Sequence, residues 1–431
     1  MTEEPAAEHV PVVVVGGGQA GLSTSCYLTE AGIRHRVLEA KTLANEWRTA
    51  RWDAFTLVTP NWQCQLPGHP YDGDDPDGFM TRDEVVAYLE GFVKSFDPPV
   101  HEGVSVTQLT ARRGGGYELT TSAGPLTADA VVVATGGYQV PIVPRWAERL
   151  PAEITQLHSS LYRNPEQLPP GEVLVVGSGQ SGAQIAEDLH LAGRHVHLCL
   201  GDAPRVARRY RGKDCVRWLD EMGYYRTTAD MRPTDAGAKA RANHYVTGRD
   251  GGRDIDLRLF ASEGMRLYGL LTDLRDGVLR FRPDLTAALD LADGVMESIK
   301  DTIDGYVAEQ GIDAPTEPRY TPVWRPETEP TELVLAGSGI STVLWCIGYR
   351  ADYSWVDVPV FTGRGAPAHH RGITAAPGLA FVGLPWQWTW GSARFSGVAE
   401  DARHVVTSLC ERLPSVARAV GSGINSSAYG T

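Results

Sequence analysis

The chain has 431 residues, 42% of them hydrophobic and 22% charged, a composition typical of a globular protein with room for two or three domains. Its net charge of −13 argues against nucleic acid and anionic membranes as partners, because both require a basic surface. Apolar runs are strand-sized and residues 1–9 lack signal-peptide features, so no membrane association is expected. Six cysteines without a CxxC pair predict reduced thiols and a cytoplasmic location, and no metal site is expected.

The first informative pattern is the sequence GGGQAG at residues 16–21, directly after an apolar run at residues 12–15. It predicts a buried strand, a glycine-rich turn and a helix to residue 31, the arrangement that holds a dinucleotide pyrophosphate on helix N-terminal amides. Glu39 ends the next predicted strand, 18 residues after Gly21, where an acidic residue often hydrogen-bonds a ribose hydroxyl. The alternative for Glu39 is a solvated surface glutamate. The turn's candidate binding residues are Gly16, Gly18, Gln19, Ala20 and Gly21.

Residues 43–80 show no periodicity but contain six aromatic side chains and several prolines, which indicates an ordered active-site loop rather than a linker. Thr81 and Glu84 predict a capping box at the start of the next helix. Short strands are predicted at residues 104–109, 117–121, 124–127 and 130–133.

A second unit repeats the first. The apolar run 173–176 precedes GSGQSG at residues 177–182, and a helix to about residue 192 and a strand at 195–200 follow. Two complete strand–turn–helix units predict two bound dinucleotides, and the common pairing is a flavin with a nicotinamide. The alternative is two glycine-rich turns that bind no ligand. The candidate residues are Gly177, Gly179, Gln180, Ser181 and Gly182.

The second unit has no acid at the ribose position, where Leu200 stands. Basic residues follow instead: Arg205, Arg208, Arg209, Arg211 and Lys213. A missing acid with nearby arginines favours the 2′-phosphate of NADPH over NADH. The alternative is a solvated basic helix or an ion-pair cluster with Asp202, Asp214 and Asp220. Beyond it, residues 214–330 predict an insertion with a strand near 253–260 and a helix near 285–307, before strands at 342–347 and 379–382 and a helix from about 396 to 409.

These patterns resemble the class B flavin-dependent monooxygenases, the bacterial and plant-type branch, over nearly the whole chain. Residues 59–68, TPNWQCQLPG, are similar to a subgroup of actinobacterial flavin-dependent oxidoreductases, some of them encoded near nitrilases. The other residues that carry the resemblance are both glycine motifs, Glu39, Trp47-Arg48, Arg51-Trp52-Asp53, Leu66-Pro67, Ala134-Thr135-Gly136 and Cys346-Ile347-Gly348-Tyr349.

The resemblance implies an α/β fold of two dinucleotide-binding Rossmann-like domains, with the NADPH domain inserted in the FAD domain. Residues 1–165 and 331–431 would form the FAD domain, and residues 166–330 the NADPH domain with an insertion at about 214–330. The implied activity is an FAD-containing, NADPH- and O2-dependent monooxygenase that acts through a flavin C4a-hydroperoxide on a small nucleophile, with an amine nitrogen or sulfur favoured. The alternative is an FAD-dependent NADPH oxidoreductase that transfers electrons without oxygenating.

One motif of the family is incomplete. Of FxGxxxHxxx followed by an aromatic residue, His158 and Tyr162 are present, but Ala152 and Ile154 replace the Phe and Gly. This leaves the electron-transfer alternative open, and for His158 a hydrogen-bonded structural role in the linker is favoured over a catalytic one.

The resemblance also implies roles for individual residues. Asn61 is the candidate for an amide near flavin C4a and N5, with a turn former after Pro60 as its alternative. Trp47 and Arg48 would meet the flavin phosphates or ribose. Helix N-terminal amides near residue 396 would face the flavin pyrimidine oxygen. The further residues expected at the cofactors are Ala40, Trp52, Thr59, Val106, Ala134, Thr135, Gly136, Gly348, Tyr349, Ser396, Gly397 and Val398.

The tryptophans Trp386, Trp388 and Trp390 alternate along a predicted extended segment. They suit the wall of a pocket for a small-molecule substrate above the flavin. Core or dimer-interface packing is the alternative, so the sequence leaves a homodimer open.

Overall fold

The computed structural model describes residues 7–231 and 244–412; residues 1–6 of the predicted N-terminal tail lie outside this range. Its helices are α1 Gln19–Glu30, α2 Asn45–Thr49, α3 Arg82–Phe96, α4 Gln180–Leu191, α5 Cys215–Glu221, α6 Leu257–Ser262, α7 Leu285–Gln310 and α8 Val398–Arg412. Short 3-10 turns are found at Asn61–Gln63, Arg145–Arg149, Pro165–Gln167, Tyr224–Arg226, Ala229–Met231 and Arg249–Gly251.

The strands are, in chain order, β1 Glu8–Val15, β2 His35–Glu39, β3 Gln65–Leu66, β4 His69–Pro70, β5 Val100–Glu102, β6 Val106–Ala111, β7 Tyr117–Thr121, β8 Gly124–Val133, β9 Val140–Pro141, β10 Thr155–His158, β11 Glu172–Val176, β12 Val196–Cys199, β13 Arg209–Tyr210, β14 Lys213–Asp214, β15 Arg266–Tyr268, β16 Leu271–Arg275, β17 Val278–Phe281, β18 Glu332–Val334, β19 Ile340–Trp345, β20 Tyr349–Arg350, β21 Val356–Asp357 and β22 Leu379–Phe381.

The larger sheet has the order β21-β6-β7-β8-β1-β2-β5, with β22 also paired to β8. Its central strand β1 lies parallel to both β2 and β8. Since successive side chains of a strand point to opposite faces, Val12 and Val14 join the core formed with α1 and α8, and Val13 and Val15 join the core formed with β6 and β7. Burial on both faces explains the continuous apolar run, as the sequence predicts for a parallel strand.

The second sheet has the order β10-β19-β11-β12-β15, and all its pairs are parallel. Strands β10 and β19 lie outside the predicted range 166–330, so this hydrogen-bonded sheet begins earlier and ends later in the chain than that range. Strand β15 lies within the predicted insertion and pairs with β12. The rest of that segment supplies α7 and, with β18, the antiparallel sheet β16-β17-β18.

Several local predictions are confirmed, and one is wrong. Thr81 and Glu84 form the predicted capping box at α3. The predicted strand near residues 253–260 is instead the start of α6, because Asp256 caps a helix there by accepting hydrogen bonds from the backbone N–H groups of Arg258 and Leu259. All six cysteines are free thiols. In the part of the chain that the structure describes, no helix is both long and apolar enough to cross a bilayer.

Candidate cofactor cleft

Both glycine turns open into one continuous cleft of about 2610 Å³. Each turn follows the carboxyl end of an inner parallel strand, β1 or β11. Ligands of open α/β sheets bind at such ends. A pocket for one small molecule typically measures about 300–1,000 Å³. The cleft therefore has room for more than one ligand of dinucleotide size.

The first turn has the backbone shape that a pyrophosphate requires. Gly16 has φ +111°, and a Cβ added there would lie 2.6 Å from the carbonyl oxygen of Ala134. At Gly21 an added Cβ would lie 1.8 Å from the carbonyl oxygen of Gly16, so only glycine lets α1 pack this closely on the turn. At Gly18 an added Cβ would meet nothing within 4 Å, because this residue faces the open cleft.

The second turn repeats this geometry. Gly177 has φ +102°, and an added Cβ would lie 2.7 Å from the carbonyl oxygen of Cys346. At Gly182 it would lie 1.8 Å from the carbonyl oxygen of Gly177, and at Gly179 it would meet nothing within 4 Å. Three glycines with the same three roles, in two units, match the steric demands of two dinucleotide turns.

Glu39 connects the end of β2 to the first turn. Its Oε2 accepts a 2.8 Å hydrogen bond from the backbone N–H of Gly17, and its Oε1 accepts one of 2.8 Å from the backbone N–H of Lys41. The half-buried carboxylate also lines the cleft. It therefore lies where the sequence predicts a ribose acceptor.

Most of the residues predicted to bind the cofactors line this one cleft. They are Gly16, Gly18, Gln19, Ala20, Glu39, Ala40, Trp47, Trp52, Thr59, Val106, Ala134, Thr135, Gly136, Gly177, Gly179, Gln180, Ser181, Gly348, Tyr349 and Ser396. The chain brings them together from both units and from the loop after α2.

Asn61, the predicted catalytic amide, lies outside the residues that line the cleft. Its Nδ2 donates to the carbonyl oxygen of Asp75 at 2.9 Å, and its Oδ1 accepts from the backbone N–H of Met80 at 2.7 Å. The side chain is 4% exposed. The structure therefore supports the alternative: the amide holds the two ends of the segment between residues 61 and 80 together.

The arginines predicted to bind a 2′-phosphate do not line the cleft. Arg205 is 3% exposed and pairs with Asp293 at 2.7 Å, and Arg208 is 2% exposed and pairs with Asp214 at 2.6 Å. Arg209 is exposed and donates to a backbone carbonyl. The contacts of Arg205 and Arg208 support the alternative of an ion-pair cluster, because carboxylates within the protein already neutralise both buried charges.

Five other predicted residues have packing or surface roles. Arg48 is exposed and forms an ion pair with Glu90. Val398 is fully buried at the start of α8, and a Cβ at Gly397 would lie 2.6 Å from the carbonyl carbon of Gly391. Gly21 and Gly182 likewise support the turns from behind. These residues do not line the cleft.

His158 ends β10 as a linker residue. Its Nε2 lies 3.1 Å from the carbonyl oxygen of Gly348, its Nδ1 lies 3.1 Å from Ser160 Oγ, and its ring contacts Tyr349 edge-on. Burial lowers the pKa of His158. These contacts connect the end of β10 to the segment after β19. They are in keeping with the structural role favoured by the sequence.

Sequence reasoning missed two tyrosines at the end of the cleft that is lined by Trp390. Tyr224 and Tyr225 line it together with Trp390, whose ring centroid lies 4.5 Å from that of Tyr225. Arg394 lies over Trp390 at 4.0 Å. The tyrosines belong to a 3-10 turn after α5, in a region without periodicity. The only sequence signal for this site was the presence of two adjacent tyrosines.

Two arginines give this end of the cleft positive charge. Arg51 lies 4.9 Å from the centre of the Trp47 ring, and Arg394 donates to the carbonyl oxygen of Trp390. Both line the cleft, and burial lowers the pKa of each guanidinium. Trp386 also lines the cleft, whereas Trp388 packs against Arg371.

Comparisons with known proteins agree with this architecture. Residues 13–220 match the family model described as pyridine nucleotide-disulphide oxidoreductase. An uncharacterized CzcO-like oxidoreductase of Geobacillus kaustophilus is 31% identical over 403 residues, 93% of this chain and 98% of that protein. Indole-3-pyruvate monooxygenase YUCCA6 of Arabidopsis thaliana is 32% identical over 205 residues, 46% of this chain and 49% of that protein.

Solved structures share the fold. A variant flavin monooxygenase from Stenotrophomonas maltophilia has a TM-score of 0.65 at 19% identity, covering 94% of this chain and 99% of that one. The OTEMO complex with FAD and NADP has a TM-score of 0.55 at 16% identity, covering 95% of this chain and 86% of that one. By its near-complete match to the CzcO-like protein, the chain belongs to the family of CzcO-like oxidoreductases, and its glycine turns and topology have the fold of the flavin monooxygenase structures.

Proposed function

We propose that the protein binds FAD and NADPH in the one cleft and is a monooxygenase of a small nucleophilic substrate. The observation that carries the proposal is the pair of glycine turns, each with an open glycine facing the same cleft. Bound FAD would supply hydride acceptance and oxygen activation, and the protein supplies binding, orientation and exclusion of water.

The first unit suits FAD. Gly18 leaves open space beside the N-terminus of α1, where a pyrophosphate accepts backbone hydrogen bonds. Glu39 would accept a hydrogen bond from a ribose hydroxyl at the adenosine end. Ser396, just before α8, also lines the cleft, and helix N-terminal amides there would stabilise negative charge on a reduced flavin.

The second unit suits the nicotinamide coenzyme. Gly179 has the same open position at the N-terminus of α4. Both turns line the same cleft, so the two dinucleotides would bind in one continuous space. The OTEMO complex, which has the same fold, contains FAD and NADP. This arrangement supports direct hydride transfer from NADPH.

The aromatic group suits the substrate. Tyr224, Tyr225 and Trp390 line the same cleft as the glycine turns, and an aromatic lining suits amines and excludes water. An amine nitrogen or a sulfur atom is therefore the proposed site of oxygenation. The likeness of half the chain to a plant monooxygenase supports the same reaction type.

A reductase without oxygenation is the second candidate. Asn61 is engaged by backbone groups and the motif around His158 is incomplete, so neither of these sequence features supports an oxygenase. The test is to turn over the holoprotein with NADPH and ¹⁸O2 in the presence of amine and thioether substrates. An oxygenase gives labelled product and a transient absorbance of a flavin C4a-hydroperoxide. NADPH oxidation that yields only hydrogen peroxide, with every substrate unlabelled, would favour the reductase.

A further inference from the structure

The two units differ at the residue that is expected to accept a hydrogen bond from a ribose hydroxyl. In the first sheet, Leu38 is the last β2 residue paired to β1, and Glu39 follows it. In the second sheet, Cys199 is the last β12 residue paired to β11, and Leu200 follows it. Leu200 therefore occupies the place of Glu39 and offers no hydrogen bond to a ribose.

A carboxylate lies two residues further on. Asp202 is exposed and lines the cleft, and it follows Gly182 by 20 residues, the spacing at which an acid typically meets a ribose 2′-hydroxyl. The preceding residue, Gly201, donates its backbone N–H to the buried Oγ of Ser178 at 3.1 Å. This bond holds the segment with Asp202 against the glycine turn, beside the expected pyrophosphate.

In the described part of the second unit, the cleft lining offers this carboxylate no cation. Among the described residues at positions 172–334, those that line the cleft include no lysine and no arginine. The guanidinium groups of Arg205 and Arg208 are paired to Asp293 and Asp214. A 2′-phosphate at this end would meet the negative charge of Asp202, whereas a 2′-hydroxyl would find an acceptor.

We infer, on the basis of the proposed function, that Asp202 is a specificity-determining residue for the coenzyme: it accepts a hydrogen bond from the ribose 2′-hydroxyl of NADH and opposes the 2′-phosphate of NADPH. The protein then uses NADH as well as NADPH, with a small preference between them. Replacing this one carboxylate changes the preference without touching the glycine turn.

The test is a binding measurement on the oxidised, FAD-loaded protein. Calorimetric titration with NADP+ and with NAD+ gives both dissociation constants for the unmutated protein and for Asp202→Asn. A hydrogen bond to a charged acceptor corresponds to about tenfold or more in affinity, so the ratio of NADP+ to NAD+ affinity should rise by about tenfold. Glu309→Gln, which removes an exposed carboxylate near the end of α7, should leave the ratio unchanged.

The outcomes separate this inference from the proposed function. If both dinucleotides bind and Asp202→Asn leaves the ratio within twofold, the inference is overturned and the coenzyme site stands. If the FAD-loaded protein binds neither dinucleotide, the proposed function and the inference both fall. An equal shift in Glu309→Gln would attribute the change to net charge and overturn the role of Asp202.

Discussion

The carboxylate of Glu39 accepts a 2.8 Å hydrogen bond from the backbone N–H of Gly17, across the turn that joins β1 to α1. One residue thereby fixes the conformation of the turn and presents charge to the cleft. In the second unit these tasks are divided. The hydroxyl of Ser178 holds the backbone N–H of Gly201, and Asp202 presents the charge. The two turns share their glycine geometry but differ in how the adjoining strand end supports them.

Gly18→Val and Gly179→Val form a matched pair. Both glycines have negative φ and open space around an added Cβ, so both variants should fold. The new side chain fills the space for a pyrophosphate in one unit only. Gly18→Val should be purified without flavin, and Gly179→Val should stay yellow but lose NADPH binding. Flavin absorbance and calorimetry measure this, and a fully flavinated Gly18→Val would contradict the assignment of the first turn.

Asn61→Ala should lower stability rather than alter flavin chemistry. It removes two buried hydrogen bonds and leaves the carbonyl of Asp75 and the N–H of Met80 without their partner. The expected loss in the free energy of unfolding is about 2–4 kcal/mol, from about 1–2 kcal/mol for each group. Denaturant unfolding measures it, and the rate of flavin reduction serves as control. Unchanged stability with faster loss of an oxygenated flavin would restore the catalytic role predicted from the sequence.

The arginine cluster should contribute to stability and not to coenzyme affinity. Arg208 donates to Asp214 and to the carbonyl oxygen of Val58 at 2.8 Å, so it connects the second unit to the loop after α2. Arg208→Ala should cost about 3–5 kcal/mol, because it leaves a half-buried carboxylate unpaired. The substitution Arg209→Ala, at the neighbouring position, should leave the free energy of unfolding unchanged. A tenfold loss of NADPH affinity in Arg209→Ala would reinstate the phosphate site.

Glu187 gives the protein a pH-dependent stability. It is 1% exposed on α4, and burial raises its pKa from 4.5 to about 7, although Arg253 and Arg249 act in the opposite direction. Between these two pKa values the folded protein keeps a proton that the unfolded chain releases, so stability falls as pH rises.

The comparison with Glu187→Gln isolates this effect. Relative to that variant, the unmutated protein should lose about 3 kcal/mol of unfolding free energy between pH 4.5 and about 7. Urea unfolding at several pH values measures the difference. Parallel stability profiles of the two proteins would mean that Glu187 stays ionised throughout.

Most of the correct predictions about the fold and the cleft came from local sequence patterns. Gly21 and Gly182 are required by their contacts with Gly16 and Gly177, a few residues earlier in the chain, and buried parallel strands appear as continuous apolar runs. Glu39 was predictable because its distance from the turn follows from the length of α1 and β2. These features depend on short stretches of sequence, so the spacing of residues along the chain is enough to predict them.

Several features that the sequence analysis did not anticipate depend on contacts between distant residues. Arg205 pairs with Asp293, 88 positions away, and no local pattern distinguishes such an arginine from one that faces a phosphate. Asn61 is occupied by backbone groups at residues 75 and 80, which meet it only when the loop folds. Strands β10 and β19 pair with each other in the second sheet, although the other strands of that sheet lie between them in the sequence. Periodicity cannot supply information of this kind.

The central claim is that FAD and NADPH meet in one cleft, and anaerobic reduction tests it most directly. Purified protein is mixed with NADPH in a stopped-flow instrument without oxygen, and the flavin absorbance is followed. The account predicts stoichiometric bound FAD that NADPH bleaches completely, with a rate that saturates as NADPH increases and that is lost in Gly179→Val. Protein without flavin, or bound FAD that neither NADPH nor NADH reduces, would contradict it.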